Sequence, residues 1–301
     1  MAQASGTRFA IGIATSGRRE ILKTLLPHLA RQVRRPDEVV ICAAREDDVD
    51  MEALDAIGLD IRVLVSERGL CRQRNHILRN VPAADILLFL DDDFLMAPSY
   101  VDETERIFVS EPSVIMCTGT VDADGITGPG IDISEALAII DRGRHDPADA
   151  SDDPQTIYNA YGCNMAVRMA TVRTEGLAFD ENLPLYGWLE DVDFSRQMAR
   201  HGKIVISRRL RGVHLGTKSG RTSGVRFGYS QIANPIYLVR KKTMSLRHAS
   251  VQIARNLLAN TIKLFTPEPW VDRKGRFKGN IRALADLLRG RLAPQNVAAL
   301  E

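Results

Sequence analysis

The sequence predicts an α/β protein, a doubly wound and mostly parallel sheet followed by a helical C-terminal extension. Three observations carry that expectation. Short apolar runs alternate with helical patterns through residue 120, one of those runs ends in three consecutive carboxylates, and from about Tyr229 the chain turns helical and basic. Strands are expected at 9–14, 38–43, 61–65, 86–90 and 114–117, and the run at 86–90 is apolar without alternation, as in a sheet covered on both faces. Helices are expected between them at 19–32, 51–57, 71–80 and 99–109, which makes the strands parallel with crossover connections.

Beyond that half, Gly125, Gly128, Pro129, Gly130, Pro147 and Pro154 together with an acidic stretch mark 122–156 as a loop region with a short helix near 134–141. A long loop beside a cleft reads as a mobile lid. Two further clusters follow, Tyr161-Gly162-Cys163-Asn164 and Tyr186-Gly187-Trp188-Leu189-Glu190-Asp191, the second opening a helix that Gly202 stops. A strand at 203–207 leads to Val213-His214-Leu215. In 251–265, Val251, Ile253, Ala254, Leu257, Leu258, Ile262, Leu264 and Phe265 share one side, with Gln252, Asn256, Asn260 and Lys263 opposite. That helix either packs on the main domain or lies in a membrane interface beside the basic segment 273–278. The expected division is 1–228 and 229–301.

Composition bounds the rest. With 301 residues, 45% of them apolar, the chain has enough material for one large or two small domains. Cys42, Cys71, Cys117 and Cys163 stand apart without metal spacing and read as reduced core thiols of a cytosolic protein. The N-terminal residues hold no apolar signal core, and no uncharged stretch reaches the ~18 residues of a spanning helix, so neither export nor membrane insertion is expected. Residues 201–301 contain 20 Lys and Arg against 4 Asp and Glu, whereas the first 200 contain 20 against 34. A basic last third points to an anionic partner, either a phosphate-bearing substrate or an anionic membrane. Nucleic acid is not expected, because no recognised binding motif accompanies the charge.

The chemistry starts at Asp91-Asp92-Asp93, at the carboxyl end of 86–90, where open α/β sheets bind ligands. A lone Asp there reads as a helix cap. Three adjacent carboxylates raise one another's pKa values, and a hard divalent ion such as Mg²⁺ or Mn²⁺ shared with a diphosphate offsets the repulsion.

In order and spacing, the opening strand with Ala14-Thr15-Ser16-Gly17-Arg18, the segment Gly69-Leu70-Cys71-Arg72-Gln73-Arg74-Asn75, the Asp triplet, Gly162-Cys163-Asn164, Gly187-Trp188-Leu189-Glu190-Asp191 and His214 resemble the family 2 glycosyltransferases of the GT-A fold. The resemblance spans residues 7–216. It implies an inverting, metal-dependent transfer of a sugar from a nucleoside-diphosphate sugar, by default a UDP-sugar, to a hydroxyl of a glycan or lipid-linked acceptor, as in bacterial cell-surface polysaccharide synthesis. The cysteines and the basic amphipathic tail add the expectation of a cytoplasmic protein at the inner face of an anionic membrane. By the same resemblance Asp93 ligates Mn²⁺ or Mg²⁺, with His214 as a further ligand, and Asp91 and Asp92 face the nucleotide. Thr15, Arg18 and Arg74 line the nucleotide and Asn164 faces the donor sugar. Asp191 is the base that takes the acceptor proton, Glu190 binds acceptor hydroxyls, and Trp188 stacks on a sugar face. Arg221, in the turn Gly220-Arg221-Thr222-Ser223-Gly224, is placed to close over the diphosphate.

One departure bears on the base. Relatives carry an Asp directly after the second strand, whereas Cys42-Ala43-Ala44 stands here and the acids come later, at Glu46, Asp47 and Asp48. Two other readings remain: a sugar nucleotidyltransferase, which would want a Gly-rich basic phosphate loop after the first strand, and a non-catalytic sugar-nucleotide-binding protein.

Overall fold

A computed structural model describes residues 6–143 and 154–301. Four parallel strands form one half of a single sheet: β3 (Ile61–Val65), β2 (Glu38–Ala43), β1 (Phe9–Thr15) and β4 (Ile86–Asp91) in that order. The helices α1 (Arg19–Leu29), α2 (Met51–Asp55) and α3 (Leu70–Asn80) make the crossovers. Beyond β4 the order continues through β8 (Asn164–Arg168), β6 (Val114–Asp124), β9 (Lys203–His214) and the short β5 (Phe94–Met96), while β7 (Gln155–Thr156) pairs with β9. β8 runs antiparallel between β4 and β6. The remaining helices of this part are α4 (Tyr100–Ser110), α5 (Ile133–Gly143), α6 (Met169–Glu175) and α7 (Glu190–Met198). The uniformly apolar runs are buried on both faces of the sheet, Ile11 and Leu88 in one core and Val40 and Phe89 in the other.

Three expectations change in detail. β6 runs on to Asp124, so the region read as loop from residue 122 begins inside a strand; its helix is α5. The lid expected there includes 144–153, which lie outside the described residues. Residues 203–214 form one strand whose register with β6 shifts between Gly119 and Thr120, where Ser207 and Arg211 are their partners. All four cysteines are buried and free.

The tail forms α8 (Gly224–Lys241), α9 (Leu246–Ile262) and α10 (Arg273–Leu288). The expected division at 228/229 falls inside α8, which Ser223 caps by accepting from the Arg226 N–H. α8 and α10 cross at backbone contact: a Cβ on Gly228 would sit 2.0 Å from the Arg276 carbonyl oxygen and one on Gly279 2.1 Å from that of Val225. α8 also reaches the main sheet domain, with Leu238 in the Val40–Phe89 core and Asn234 Nδ2 donating to the Trp188 carbonyl at 2.7 Å. Among the described residues no helix is long and apolar enough to cross a membrane.

α9 splits the expected apolar side: Ile253 and Leu257 pack inward, whereas Val251, Leu258 and Ile262 face out. Asn260 is buried, its Nδ2 donating to Gln231 Oε1 at 2.8 Å and Asn280 Oδ1 at 2.9 Å, while Arg273 donates to its Oδ1 at 3.0 Å. Fully satisfied amides are stable inside, and by taking the inner face they turn Val251, Leu258 and Ile262 outward.

Candidate active site

Strand register builds the site. β4 ends at Asp91 and β5 starts at Phe94, so Asp92 and Asp93 occupy the turn between them. Phe94 pairs with His214, and Asp124 pairs with His214 from the other side, which brings the end of β9 against the triplet. Leu90 pairs with Asn164, and the Asp91 N–H donates to the Cys163 carbonyl at 3.0 Å, which sets Gly162 beside Asp91.

One ligand atom each from Asp91, Asp93 and His214 lie within 4.8 Å of one another. Asp93 Oδ2 accepts the Thr217 N–H at 2.7 Å. Asp93 Oδ1 is buried 3.2 Å from His214 Nε2 and 3.5 Å from Arg18 Nη1 and accepts no aligned hydrogen bond. That oxygen faces two cationic side chains but, among the described residues, no aligned donor, which leaves it open to a cation. Two carboxylates and an imidazole fit Mn²⁺, and less closely Mg²⁺, which would satisfy that oxygen. Burial disfavours a charged His214 ring, but Asp124 and Asp93 outweigh it and push its pKa up to about 10. Burial likewise opposes ionised Asp93, yet His214, Arg18 and the Thr217 N–H bring it down to about 2.

Asp124 was missed in the sequence because it fell in the region read as loop. Its Oδ1 lies 3.0 Å from His214 Nδ1 and its Oδ2 accepts from the Tyr161 hydroxyl at 2.9 Å. A carboxylate behind a ligating histidine fixes the ring's tautomer and orientation. Asp124→Asn is therefore expected to weaken Mn²⁺ binding by about 10–100-fold, read by titration against the paramagnetic resonance signal of free Mn²⁺.

Two expected nucleotide contacts, Thr15 and Asp92, are bonded to each other. Thr15 Oγ1 donates to Asp92 Oδ2 at 2.7 Å, and both residues are buried. Arg18 Nη1 donates to Asp92 Oδ1 at 2.8 Å, so Thr15 and Asp92 are joined in a chain of bonds that ends on Arg18. Burial, with Asp93 adding to it against Arg18, pushes Asp92 up to about 6. Arg18 also donates to the carbonyls of Ser219 and Thr217. Lys218 and Arg221 brace the same loop through backbone carbonyls, Lys218 at 2.9 Å to Gly125 and Arg221 at 3.0 Å to Thr217. Asn164 is corrected outright. Its side chain is fully buried in the sheet, donating to the Gly119 carbonyl and hydrogen-bonded to the Thr118 hydroxyl, and does not face the cleft.

Arg74 links the two halves of the site. Its guanidinium, 2% exposed, donates to Glu190 Oε1 at 2.7 Å, to the Gly162 carbonyl at 2.7 Å and to Asp91 Oδ1 at 3.1 Å, with Phe179 and Phe89 beneath it. Burying a cation this way requires paired partners, and it has two. The segment before Glu190 turns through left-handed backbone at Leu185, Gly187 and Leu189, with φ of 60°, 62° and 74°. Non-glycine residues in that region cost about 1–3 kcal/mol each and concentrate at functional sites. The turn delivers Asp191, whose Oδ2 accepts the Gly162 N–H at 3.1 Å and whose Oδ1 accepts that of Val192 at 2.8 Å. Burial, with Asp191 alongside, pushes Glu190 up to about 8 despite Arg74. Burial raises Asp191 as well.

A Cβ on Gly162 would meet Glu190 Oε1 at 2.9 Å and the Asp191 Cβ at 3.3 Å. Gly162→Ala is expected to lower turnover by roughly 10–100-fold through displaced carboxylates, with the thermal midpoint little changed. Trp188 is half-buried and meets Phe227 of α8 edge-on, 5.8 Å between ring centres, so it presents only part of its face; Tyr186, exposed and 5.9 Å from Phe227, completes an aromatic rim that the sequence reading left out. On the base side, Asp48 folds back and spends both oxygens on backbone, accepting from Gly17 at 2.8 Å and Arg45 at 3.0 Å.

No protein-family profile matches this chain. No curated protein matches it. Solved structures do. The mannosyltransferase PcManGT from Pyrobaculum calidifontis, in complex with GDP-Man and Mn²⁺, superposes with a TM-score of 0.57 at 14% identity over 99% of this chain and 87% of its own. TarS 1–349 from S. aureus gives 0.55 at 15% identity over 98% and 83%. The same protein in complex with UDP-GlcNAc gives 0.55 at 16% over 98% and 84%. The chain therefore has a GT-A-type α/β fold, a Rossmann-like sheet carrying a helical C-terminal extension.

Proposed function

We propose that this protein is an inverting glycosyltransferase that moves a sugar from a nucleoside-diphosphate sugar to a hydroxyl of a glycan or lipid-linked acceptor. The observation that carries the reading is the orphaned Asp93 Oδ1 within the Asp91, Asp93 and His214 cluster, joined through the single guanidinium of Arg74 to the Glu190–Asp191 turn. The bound nucleotide sugars and Mn²⁺ in PcManGT and TarS support it. Membership of family 2 rests on the motif order described above.

Asp91, Asp93 and His214 would hold Mn²⁺ or Mg²⁺, which supplies positive charge to the leaving diphosphate. Arg18 is aimed into the same corner by Thr15 and Asp92 and adds a fixed cation there. Arg74 holds Glu190 and Asp91 apart at set positions. Asp191, ionised, accepts the proton of the acceptor hydroxyl. The acceptor oxygen bonds to the anomeric carbon from the face opposite the diphosphate, and the anomeric C–O bond breaks with its electron pair leaving on the nucleoside diphosphate. A single base and a single displacement invert the configuration. The rim of Tyr186, Trp188 and Phe227 offers apolar faces to an acceptor sugar. A uridine donor is the starting assumption, with base recognition altered because Asp48 is engaged by backbone. The setting proposed is surface-polysaccharide synthesis at the cytoplasmic face of an anionic membrane.

The test is product analysis. Incubation with UDP- and GDP-sugars and Mn²⁺ is expected to release the nucleoside diphosphate. Release of pyrophosphate from a nucleoside triphosphate and a sugar phosphate would instead establish a nucleotidyltransferase.

A further inference from the structure

Among the described residues the outer face of α9 has no partner. Val251, Leu258, Ile262 and Phe265 are 48%, 62%, 58% and 87% exposed, and their spacing sets them along one stripe of the helix and the residues after it. Ala254 is exposed within the same stripe. The inner face is occupied by Ala249, the Asn260 amide network and the half-buried Ile253 and Leu257. A helix that buries amides and exposes leucine, isoleucine and phenylalanine is inverted relative to a water-facing surface helix.

The segment that carries the stripe is basic. From Arg240 to Pro267 the chain holds six Lys and Arg and no Asp or Glu. Lys241 pairs with Asp180 and Asp193, and Lys263 with Glu268; Arg240, Lys242, Arg247 and Arg255 are exposed. An apolar stripe with an acid-free basic border fits a bilayer interface, where apolar side chains enter the acyl boundary and cations meet anionic headgroups. A second copy of the chain would bring the same uncompensated cations face to face.

We infer that α9 is a membrane-docking element that seats this protein on an anionic lipid surface through Val251, Leu258, Ile262 and Phe265, with Arg247 and Arg255 on the headgroups. The inference goes beyond the transferase reading and does not depend on it. α8 connects the two regions: Phe227 borders the aromatic rim, and Gln231 Nε2 donates to Asn256 Oδ1 of α9 at 3.0 Å. Docking there ties the acceptor side of the cleft to the lipid surface.

The experiment is co-sedimentation of the full-length protein with vesicles of phosphatidylcholine, alone or with phosphatidylglycerol. Binding is expected with the anionic vesicles only, and it is expected to fall sharply near 0.5 M salt, where screening shortens to a few ångströms. The pairs Leu258→Glu with Ile262→Glu, and Arg247→Glu with Arg255→Glu, are each expected to lower the partition by at least about tenfold. All four side chains are exposed, so an unchanged thermal midpoint is expected to certify the fold. Wild-type protein that stays in the supernatant at low salt overturns the inference. So does a wild-type dimer that the Leu258→Glu, Ile262→Glu pair converts to monomer without altering vesicle binding, which assigns the face to a second copy. Vesicle binding is read without donor or acceptor, so failure of glycosyl transfer leaves this result standing.

Discussion

Asp191→Asn is expected to lower kcat by on the order of 10³, within the range that a positioned base contributes, while leaving nucleotide affinity unchanged. The Gly162 and Val192 N–H groups each hold a different carboxylate oxygen now, and the amide keeps an acceptor for one of them only, so an unchanged thermal midpoint is the check that the turn at Leu185–Leu189 survives. What disappears is the capacity to take a proton. The same assignment fixes the pH profile. Asp191 accepts a proton only when ionised, and burial raises its pKa, so kcat/KM is expected to climb with pH along an acid limb displaced above the ordinary aspartate value of about 4. Glu190, pushed up to about 8, titrates with it, and the limb reports the pair. A full-rate Asp191→Asn enzyme would remove Asp191 from the chemistry; lost nucleotide affinity in that variant would mean the carboxylate is structural.

Asp93→Ala is expected to abolish Mn²⁺-dependent behaviour altogether. Asp93 supplies the oxygen without an aligned donor, 3.2 Å from His214 Nε2 and 3.5 Å from Arg18 Nη1. A ligand that binds only the folded state at 100 times its Kd adds about 2.7 kcal/mol. For a chain of this size that is a rise in Tm of roughly 5 °C. Wild-type protein is expected to show the rise, and Asp93→Ala to show none at the same Mn²⁺ concentration. The Thr217 N–H loses its acceptor in the variant. Its metal-free Tm therefore serves as the baseline.

The parallel half of the sheet was legible because β1, β2 and β4 are continuous apolar runs that tolerate no other placement. β9 was seen as two pieces, since Arg208-Arg209 and Arg211 interrupt its hydrophobic pattern where the register with β6 shifts. Asp93 was singled out by its place after a strand and His214 by the resemblance, and strand register brings the two together. Asp124 was not, because its role depends on the pairing of Asp124 with His214 across strands about ninety residues apart in sequence. Thr15, Asp92 and Asn164 were placed in the right neighbourhood, yet identity alone does not say whether a polar side chain faces a cleft or supports one that does. α9 shows the same limit at the level of a whole helix. Its expected apolar side is divided, because Gln231 on α8 and Asn280 on α10 draw Asn260 inward beside Ile253 and Leu257 and leave Val251, Leu258 and Ile262 outside.

The central claim is a metal-dependent nucleotide site built on Asp91, Asp93 and His214. Calorimetric titration of UDP, and then GDP, into the purified protein with and without Mn²⁺ tests it most directly. Binding of one nucleotide that requires Mn²⁺ and vanishes in Asp93→Ala is the predicted result; equal binding with and without the metal, or none of either nucleotide with it, would contradict the account.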